Sequence, residues 1–202
     1  FVDINPNGNP SNTTYAIRIS SAGWGPKYVQ SNGSIGASVV YQTDSDWGTT
    51  AVTGLSANTQ YTFDVKAKNA VGLVSDYSTA SSKYTLASPP ELTSVNIATT
   101  SAALQWADTG ATQYAIERSS GDAPGLWSPI IQWIDGLTAS TFTDTGLSED
   151  TKYYYRIKSY NGDGKINDTP SNQLSDITIP KPAIELKGVA MSTHSIMWSW
   201  TD

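Results

Sequence analysis

The sequence predicts an all-β protein made of β-sandwiches in tandem, and three observations support that prediction. Apolar and polar residues alternate along many short stretches, which is the pattern of strands with one buried face. Residues 55–72 recur as residues 147–164, with Leu, Thr, Tyr, Asn and Gly in the same order, so the chain contains an internal repeat. Helical periodicity is found nowhere, and many short strands separated by turns are typical of a sandwich or a barrel.

The first unit begins with a loop and continues as a series of strands. Residues 3–13 are rich in Asn, Pro and Gly, a composition that marks turns. Strands are then predicted at residues 14–20, 28–30, 38–41, 49–52, 61–67 and 83–86. With a period of two, the first and fifth of these strands direct apolar side chains to one face. Those side chains are Tyr15, Ile17, Tyr61, Phe63 and Val65.

Two proline-rich segments divide the chain, Pro89-Pro90 and Pro180-Lys181-Pro182. Proline lacks the backbone N–H that a sheet requires, so no central strand runs through either segment. Between them, strands are predicted at residues 92–97, 102–106, 113–119, 127–134, 140–143, 153–159 and 176–179. Beyond the second segment, residues 184–200 repeat the start of this second unit, with Leu186 in the place of Leu92.

Three residue patterns carry a resemblance to a known family. A Trp ends the second strand of a unit, a Tyr opens the third, and a Leu-x-x-x-Thr-x-Tyr run precedes a later strand. The positions are Trp106 and Trp200; Tyr15 and Tyr114; Leu55, Thr59 and Tyr61; and Leu147, Thr151 and Tyr153. In this order and combination they resemble fibronectin type III domains. The resemblance implies seven-stranded sandwiches of roughly 90 to 100 residues, with a corner where the Tyr hydroxyl bonds back to the backbone.

The resemblance also implies how the chain is divided. Residues 1–88 correspond to strands C to G of one fibronectin type III-like domain, which lacks strands A and B. Residues 89–180 correspond to a complete domain, and residues 181–202 to a surplus A-B strand pair. We expect this pair to complete residues 1–88 of a neighbouring copy, and Tyr61 to depend on that copy for its core. The donated residues are Ile184, Leu186, Val189, Met191, Ile196, Trp198 and Trp200. The acceptor core is Tyr15, Ile17, Tyr61, Phe63 and Val65.

Three arrangements of the chain are compatible with this division. Separate subunits can donate strands A and B to the next copy, which is a head-to-tail contact that builds a filament. Alternatively, the chain is one period of a longer repetitive polypeptide, which also gives a fibre of stacked domains. The third arrangement is a fragment of a larger protein with arbitrary ends.

Composition excludes several classes of partner. The formal net charge is -6, whereas a nucleic-acid binder needs a basic face, and an acidic chain does not dock on an anionic membrane. No stretch is apolar enough for membrane insertion. Cysteine is absent and charged residues make up only 15%, which favours an extracellular or cell-surface protein.

Candidate metal and catalytic sites are weak in this sequence. Asp3-x-Asn5-x-Asn7-Gly8 resembles the start of a calcium loop, but Thr14 stands where the final carboxylate belongs. Residues 161–167 resemble a dockerin-type calcium repeat without its first and last acids, so we interpret them as a loop between strands. His194, the single histidine, lies in a predicted turn. We therefore predict no catalytic residue, no metal and no cofactor.

Four tryptophans lie in or beside loops, where aromatic rings stack on sugars or pack between domains. They are Trp24, Trp47, Trp127 and Trp133. Asn12 and Asn32 fit the N-glycosylation acceptor pattern.

Two functions from different classes follow. The first is a non-catalytic structural protein whose modules form an extracellular filament, stalk or surface layer by self-association. The alternative is a set of spacer or carbohydrate-binding accessory modules of a secreted enzyme or adhesin, with glycans as partners.

Overall fold

The computed structural model describes residues 3–182 and 184–201, and the side chains of Trp200 and Thr201 lie outside this description. The described chain is nearly all β, as the sequence predicts. Two short helices interrupt the strands, α1 (Asp44–Trp47) and a 3₁₀ helix (Trp133–Asp135). Neither was predicted, because a helix of three or four residues is too short to show a helical period.

The first part of the chain, which we call unit one, forms a single antiparallel sheet. Its strands are β1 (Thr14–Ser21), β2 (Trp24–Val29), β3 (Ile35–Gly36), β4 (Gln42–Thr43), β5 (Gln60–Lys68) and β6 (Ser81–Tyr84). The strand order is β3-β2-β1-β5-β6, and β4 pairs with β1. The central pair is long, because β1 and β5 stay in register from Thr14↔Lys68 to Ser21↔Tyr61.

The next part, unit two, forms two sheets. Its strands are β7 (Leu92–Ile97), β8 (Ser101–Trp106), β9 (Gln113–Ser120), β10 (Ser128–Ile131), β11 (Thr141–Thr145), β12 (Lys152–Tyr160) and β13 (Leu174–Ile177). A three-stranded sheet in the order β11-β8-β7 faces a four-stranded sheet in the order β10-β9-β12-β13. Alternate residues of both sheets meet in one core, as expected for two sheets packed face to face.

The core of unit two shows how a complete sandwich buries its strands. Leu92, Leu104 and Trp106 come from the three-stranded sheet, and Ile116 and Ile157 come from the opposite sheet. All five are at most 2% exposed. The strand pair β7–β8 therefore provides one wall of the core, and β9 with β12 provides the other.

The corresponding face of unit one is covered by loops rather than by a second sheet within the described residues. Ile4, from the loop before β1, is buried against this face together with Trp47 of α1. Leu55 also packs on the face. Phe63 and Val65 of β5 remain partly exposed.

The C-terminal hairpin consists of β14 (Glu185–Ser192) and β15 (Ser195–Thr201). These strands pair only with each other within the described residues. Two-stranded hairpins that pack on nothing are marginally stable in water. The hairpin is thus a segment that gains stability when another surface covers it.

Candidate functional site: the junction between the units and the uncovered strands

Each unit contains the same tyrosine corner. The hydroxyl of Tyr61 accepts a hydrogen bond from the backbone N–H of Ser56 at 3.0 Å, and the hydroxyl of Tyr153 accepts one from Ser148 at 3.0 Å. Each corner also holds a residue with positive φ, at 43° for Asn58 and 46° for Asp150. Asn and Asp tolerate this left-handed conformation better than most residues. The corner of unit one therefore presents the side chain of Asn58 towards unit two.

Asn58 makes the centre of the junction between the units. Its Nδ2 atom donates to the carbonyl of Gly110 at 2.7 Å and to the hydroxyl of Thr112 at 3.1 Å. Its Oδ1 atom accepts a hydrogen bond from the backbone N–H of Gly162 at 2.9 Å. One carboxamide thus binds two different loops of unit two, which restricts sliding of either loop past the corner.

A second carboxamide reaches across the junction in the opposite direction. The Nδ2 atom of Asn161 donates to the carbonyls of Tyr84 and Thr85 at 3.3 and 3.1 Å. The backbone N–H of Tyr84 in turn donates to a carboxylate oxygen of Asp163 at 3.0 Å. The end of β6 is therefore held by the loop that follows β12.

The connecting segment is also bonded to unit two. The Ser159 hydroxyl donates to the carbonyl of Ser88 at 2.8 Å, and Nδ2 of Asn167 donates to the carbonyl of Ala87 at 2.8 Å. The ring of Tyr84 lies so close to Gly162 that an added Cβ atom would be 2.5 Å from it. Hydrogen bonds and close packing together oppose independent rotation of the two units.

The face of unit one that was predicted to accept strands contains a cavity of about 590 Å³. Phe63, Val65 and Leu55 line it. Tyr15, Ile17 and Tyr61, which the sequence also assigned to the acceptor core, are at most 4% exposed. Tyr61 therefore differs from our expectation, because the chain's own loops and Trp24, at 5.7 Å between ring centroids, already bury it.

The hairpin carries exposed apolar side chains over most of its length. Those predicted for donation are 53% to 82% exposed: Ile184, Leu186, Val189, Met191, Ile196 and Trp198. The side chain of Trp200, the seventh predicted donor, lies outside the described residues. Met197, which we did not predict, is 54% exposed as well.

The pairing register of the hairpin differs from that of β7–β8. In β7–β8 a bulge near Thr93 aligns Val95 with Leu104. The hairpin has no bulge at the matching place, so Val189 pairs with Met197 and Gly188 with Trp198. A shift of one residue moves a side chain to the other face of a strand. Val189 and Trp198, both predicted donor residues, therefore lie on opposite faces of the hairpin.

The four loop tryptophans each pack within their own unit. Trp24 lies against Tyr61 and beneath the ammonium of Lys27. Trp47 is buried, and its Nε1 atom donates to the carbonyl of Tyr15 at 2.8 Å.

In unit two, the guanidinium of Arg156 stacks on Trp127, 4.2 Å from the ring centroid. Trp133 is 38% exposed and makes an edge contact with Tyr160. Each of the four rings therefore has a packing partner in its own unit.

The loops that resemble calcium sites use their side chains in turns. Oδ1 of Asn161 accepts hydrogen bonds from the backbone N–H groups of Asp163 and Lys165, and Oδ1 of Asn5 accepts one from Asn7. No group of three or more His, Cys, Asp or Glu side chains in the described chain is placed to hold a metal ion. Among the same residues, no helix is long and apolar enough to cross a membrane.

The predicted glycosylation positions are both on the surface. Asn12 and Asn32 are exposed, and the Oδ1 atom of Asn32 accepts hydrogen bonds from the backbone and hydroxyl of Ser34.

Unit two contains a partly buried ionic cluster that joins its sheets. Arg118 and Tyr155 both donate to the same carboxylate oxygen of Asp144 at 2.8 Å. Burial raises the pKa of Tyr155, and its hydrogen bond to Asp144 raises it further. Burial alone would lower the pKa of Arg118, but its hydrogen bond to Asp144 and the charge of that carboxylate raise it. The cluster links the two sheets of the sandwich, since Asp144 lies on β11 and its partners lie on β9 and β12.

Sequence reasoning did not identify the junction residues. The available signal was the difference between the two copies at matching positions, where Asn58 stands against Asp150 and Gly162 against Ala70. Small and polar residues at equivalent turns differ when one turn meets another domain and the other does not.

Comparison with known proteins finds relatives among polysaccharide-degrading enzymes. The chain is 26% identical over 160 residues to exoglucanase B of Cellulomonas fimi, which covers 73% of this chain and 15% of the enzyme. It is 30% identical over 169 residues to chitinase A1 of Niallia circulans, which covers 76% of this chain and 22% of the enzyme. The chain therefore spans less than a quarter of the length of these relatives. No protein-family model matches the sequence.

Among solved structures, the chain is similar to the solution structure of the fibronectin type III domain of human fibronectin type III domain containing protein 3. The identity is 24% and the TM-score 0.39, with 50% of this chain and 94% of that chain covered.

Proposed function

Because the chain consists of tandem fibronectin type III domains, we propose that it is a non-catalytic spacer in a secreted protein that acts on polysaccharides. The relatives named above are a glucanase and a chitinase, and the chain matches only a small part of each. Glucan and chitin are polymers too large to cross a membrane, which supports an extracellular location. Neither relative's catalytic activity is proposed for this chain.

The observation that carries the proposal is the hydrogen-bonded junction. Two carboxamides, Asn58 and Asn161, cross it in opposite directions. Domains of one chain move relative to one another by default, unless the interface between them is large and hydrophobic. A junction with this number of directional hydrogen bonds instead sets one distance and one angle between the two units, and so between the parts of a protein attached to them. Holding neighbouring parts at a fixed separation is the function of a spacer.

A depletion experiment with insoluble cellulose and chitin tests the spacer against a carbohydrate-binding module. We expect the chain to stay in solution with both polymers, because its loop tryptophans are engaged with neighbouring side chains. Depletion that is lost in Trp24→Ala or Trp127→Ala would contradict the spacer proposal and support sugar binding. Bovine serum albumin provides the control for non-specific adsorption.

We propose self-assembly into a linear array as a second function, supported by two features of the described residues. The C-terminal hairpin exposes apolar side chains on both faces, and unit one has a cavity of about 590 Å³ where unit two has strands β7 and β8. The hairpin repeats the sequence of β7–β8. Strand addition from a second copy would cover both surfaces at once.

Sedimentation velocity over a range of concentrations tests this second proposal. We expect the 202-residue chain to form species larger than a monomer. The Trp198→Asp variant should lower the association constant at least ten-fold, which is a loss of about 1.4 kcal/mol in binding free energy. Ile134→Asp is the matched control, because Ile134 is 90% exposed but lies outside the hairpin. A monomer at every concentration, or equal effects of both variants, contradicts self-assembly by the hairpin.

A further inference from the structure

Two surfaces meet at the junction between the units, and each of them has an equivalent surface elsewhere in the chain. We infer that these two surfaces bind each other between copies, so that a second copy of this chain docks end to end. One surface is the far end of unit two, formed by Asp150 and residues 177–179. The other is the unit-one loop Asn69–Leu73. The inference rests on the self-assembly proposed above and adds a second contact to it.

The far end of unit two repeats the geometry of the unit-one end that makes the observed junction. Tyr84 pairs with Gln60, and Ile177 pairs with Lys152 at the equivalent place in its sheet. The following threonines also match. The hydroxyls of Thr85 and Thr178 accept hydrogen bonds from the corner backbone at 3.0 and 2.9 Å. Residues 177–179 therefore stand where residues 84–86 stand in unit one.

The loop surface repeats the other side of the junction. Oδ1 of Asn69 accepts hydrogen bonds from the backbone N–H groups two and four residues further along, at 3.2 and 2.9 Å. Oδ1 of Asn161 does the same at 3.1 and 2.8 Å. The two turns differ in their Nδ2 atoms. That of Asn161 donates across the junction, whereas that of Asn69 has no acceptor among the residues that the structure describes.

Side-chain sizes change in a complementary way between the observed and inferred contacts. In the observed junction a Gly faces a large ring, because a Cβ on Gly162 would lie 2.5 Å from Tyr84. In the inferred contact Ala70 takes the place of the Gly and Ile177 takes the place of the Tyr. One partner gains volume while the other loses it, which preserves close packing.

The remaining substitutions change the contact from polar to apolar. Val71, which is 80% exposed, stands in the place of Asp163, and Ile179 is 53% exposed at the end of unit two. Ile177 itself is 51% exposed. A hydrogen bond of the observed junction is thus replaced by apolar surface on both partners, and such surface favours association.

The corner residue keeps the acceptor role of Asn58, although a carboxylate cannot replace the two hydrogen bonds that Nδ2 of Asn58 donates. Asp150 has the same left-handed backbone as Asn58, with φ of 46° and 43°. Asn58 accepts the N–H of Gly162, and a carboxylate at Asp150 accepts the N–H of Ala70 equally well. That N–H has no acceptor within the described chain. Hydrogen bonds to a charged acceptor are stronger than those between neutral groups.

The inferred contact is continuous with the hairpin contact. In the observed junction, residues 85–91 lead from β6 directly into β7, and β7 covers the unit on the other side. In unit two, residues 178–182 follow β13 and β14 begins at Glu185. A hairpin placed on the face of a second copy therefore brings the end of unit two to the Asn69–Leu73 loop of that copy.

Cysteine crosslinking tests this inference directly, since the natural chain has no cysteine. One preparation carries Ala70→Cys and a second carries Ile177→Cys, and the two are mixed with a short bifunctional thiol reagent. We expect a crosslinked heterodimer at several-fold higher yield than from the control pair Ala22→Cys with Ile177→Cys. Ala22 is exposed in the turn after β1, and it lies at the opposite end of β1 and β5 from the loop.

The outcomes separate this inference from the self-assembly on which it rests. A yield equal to the control, while the unmodified chain still sediments above a monomer in a hairpin-dependent way, overturns the end-to-end contact alone. A chain that is monomeric at all concentrations and gives no heterodimer overturns both.

Discussion

At the scale of single residues, matching positions of the two units have the same geometry but in places carry different side chains. Arg18 on β1 donates to Asp64 on β5 at 2.8 Å, and the matching pair in unit two is Glu117 on β9 with Arg156 on β12 at 2.5 Å. The charges are reversed, and both guanidinium groups lie over an aromatic ring. Cross-strand ion pairs stabilise a sheet with either sign order. The tyrosine corners, by contrast, keep the same residue in both copies because the bond requires a hydroxyl at that distance.

The corner hydroxyl makes a specific prediction. Tyr153→Phe removes the acceptor of the Ser148 N–H and should lower the free energy of unfolding by about 1 kcal/mol. Urea denaturation followed by tryptophan fluorescence measures this change. Tyr160→Phe is the control, because it keeps the ring that packs on Trp133. Equal stabilities of the two variants would show that the corner bond contributes nothing.

The buried hydroxyl of Tyr155 predicts a loss of stability in alkali. Its pKa is raised in the folded state, first by burial and then by Asp144. Above about pH 10 the unfolded chain releases this proton while the folded chain retains it, so the free energy of unfolding falls as the pH rises. The slope from one such group is at most about 1.4 kcal/mol per pH unit.

Urea denaturation of wild type and Tyr155→Phe between pH 8 and pH 11 checks this slope. We expect the Phe variant to be less stable at pH 8, where it lacks the bond to Asp144, and to lose less stability towards pH 11. If the free energy of unfolding has the same pH dependence in both proteins, this prediction is wrong. Tyr160→Phe again controls for removal of a hydroxyl elsewhere in unit two.

At the scale of elements, the hairpin and the junction differ in how far their surfaces are packed against other residues. The hairpin β14–β15 has apolar residues on both faces and pairs in a register that differs from β7–β8. If a sheet packs on one face of such a hairpin, the favoured pairing register is the one that places the apolar residues on that face. The junction is already packed, because Gly162 provides space for the Tyr84 ring. The two sides of the junction thus pack against each other, whereas the strands of the hairpin pair only with each other within the described residues.

A Gly162→Ala variant tests how tightly the junction is packed. The new Cβ would meet the Tyr84 ring, and overpacking costs about 1–3 kcal/mol. The N–H of Tyr84 donates across the junction to Asp163, so its hydrogen exchange should accelerate about ten-fold for each 1.4 kcal/mol. Adding Tyr84→Ile to the same chain should restore slow exchange.

Gly125→Ala is the control for this experiment, because the nearest atom to its Cβ position is 3.9 Å away. Unchanged exchange at residue 84 in Gly162→Ala would mean that the ring is free to move aside. In that case the junction would be looser than the contact distances imply.

The sequence predicted those parts of the fold that depend on local pattern. The period of two located β1, β5, β9 and β12, and the repeat located both corners, because alternation and turn residues are visible along the chain. The short helix α1 was missed, and so was the burial of Tyr61 by the loop carrying Ile4. Burial by a loop depends on where the chain folds back, which no local pattern records. The junction was missed for the same reason, since Asn58 and Asn161 are ordinary turn residues until two units meet.

At the scale of the whole molecule, the chain is a short array in which units one and two share one packed junction. Unit two is a complete sandwich, and the joint before it is made by directional hydrogen bonds. Repeat proteins gain stability from nearest-neighbour interfaces of this kind. A spacer and a self-assembling array both require such a joint, and they differ in whether the remaining surfaces bind a further copy.

The fixed orientation of the two units is the central claim, and a spin-label distance measurement tests it most directly. Labels at Ser45→Cys in unit one and Asp122→Cys in unit two, both exposed, report the separation across the junction. An excess of unlabelled chain suppresses distances between copies. We predict one narrow distance distribution, which broadens in Asn58→Ala combined with Asn161→Ala and stays narrow in Asn69→Ala. A broad distribution in the chain without these Asn→Ala changes would contradict the account.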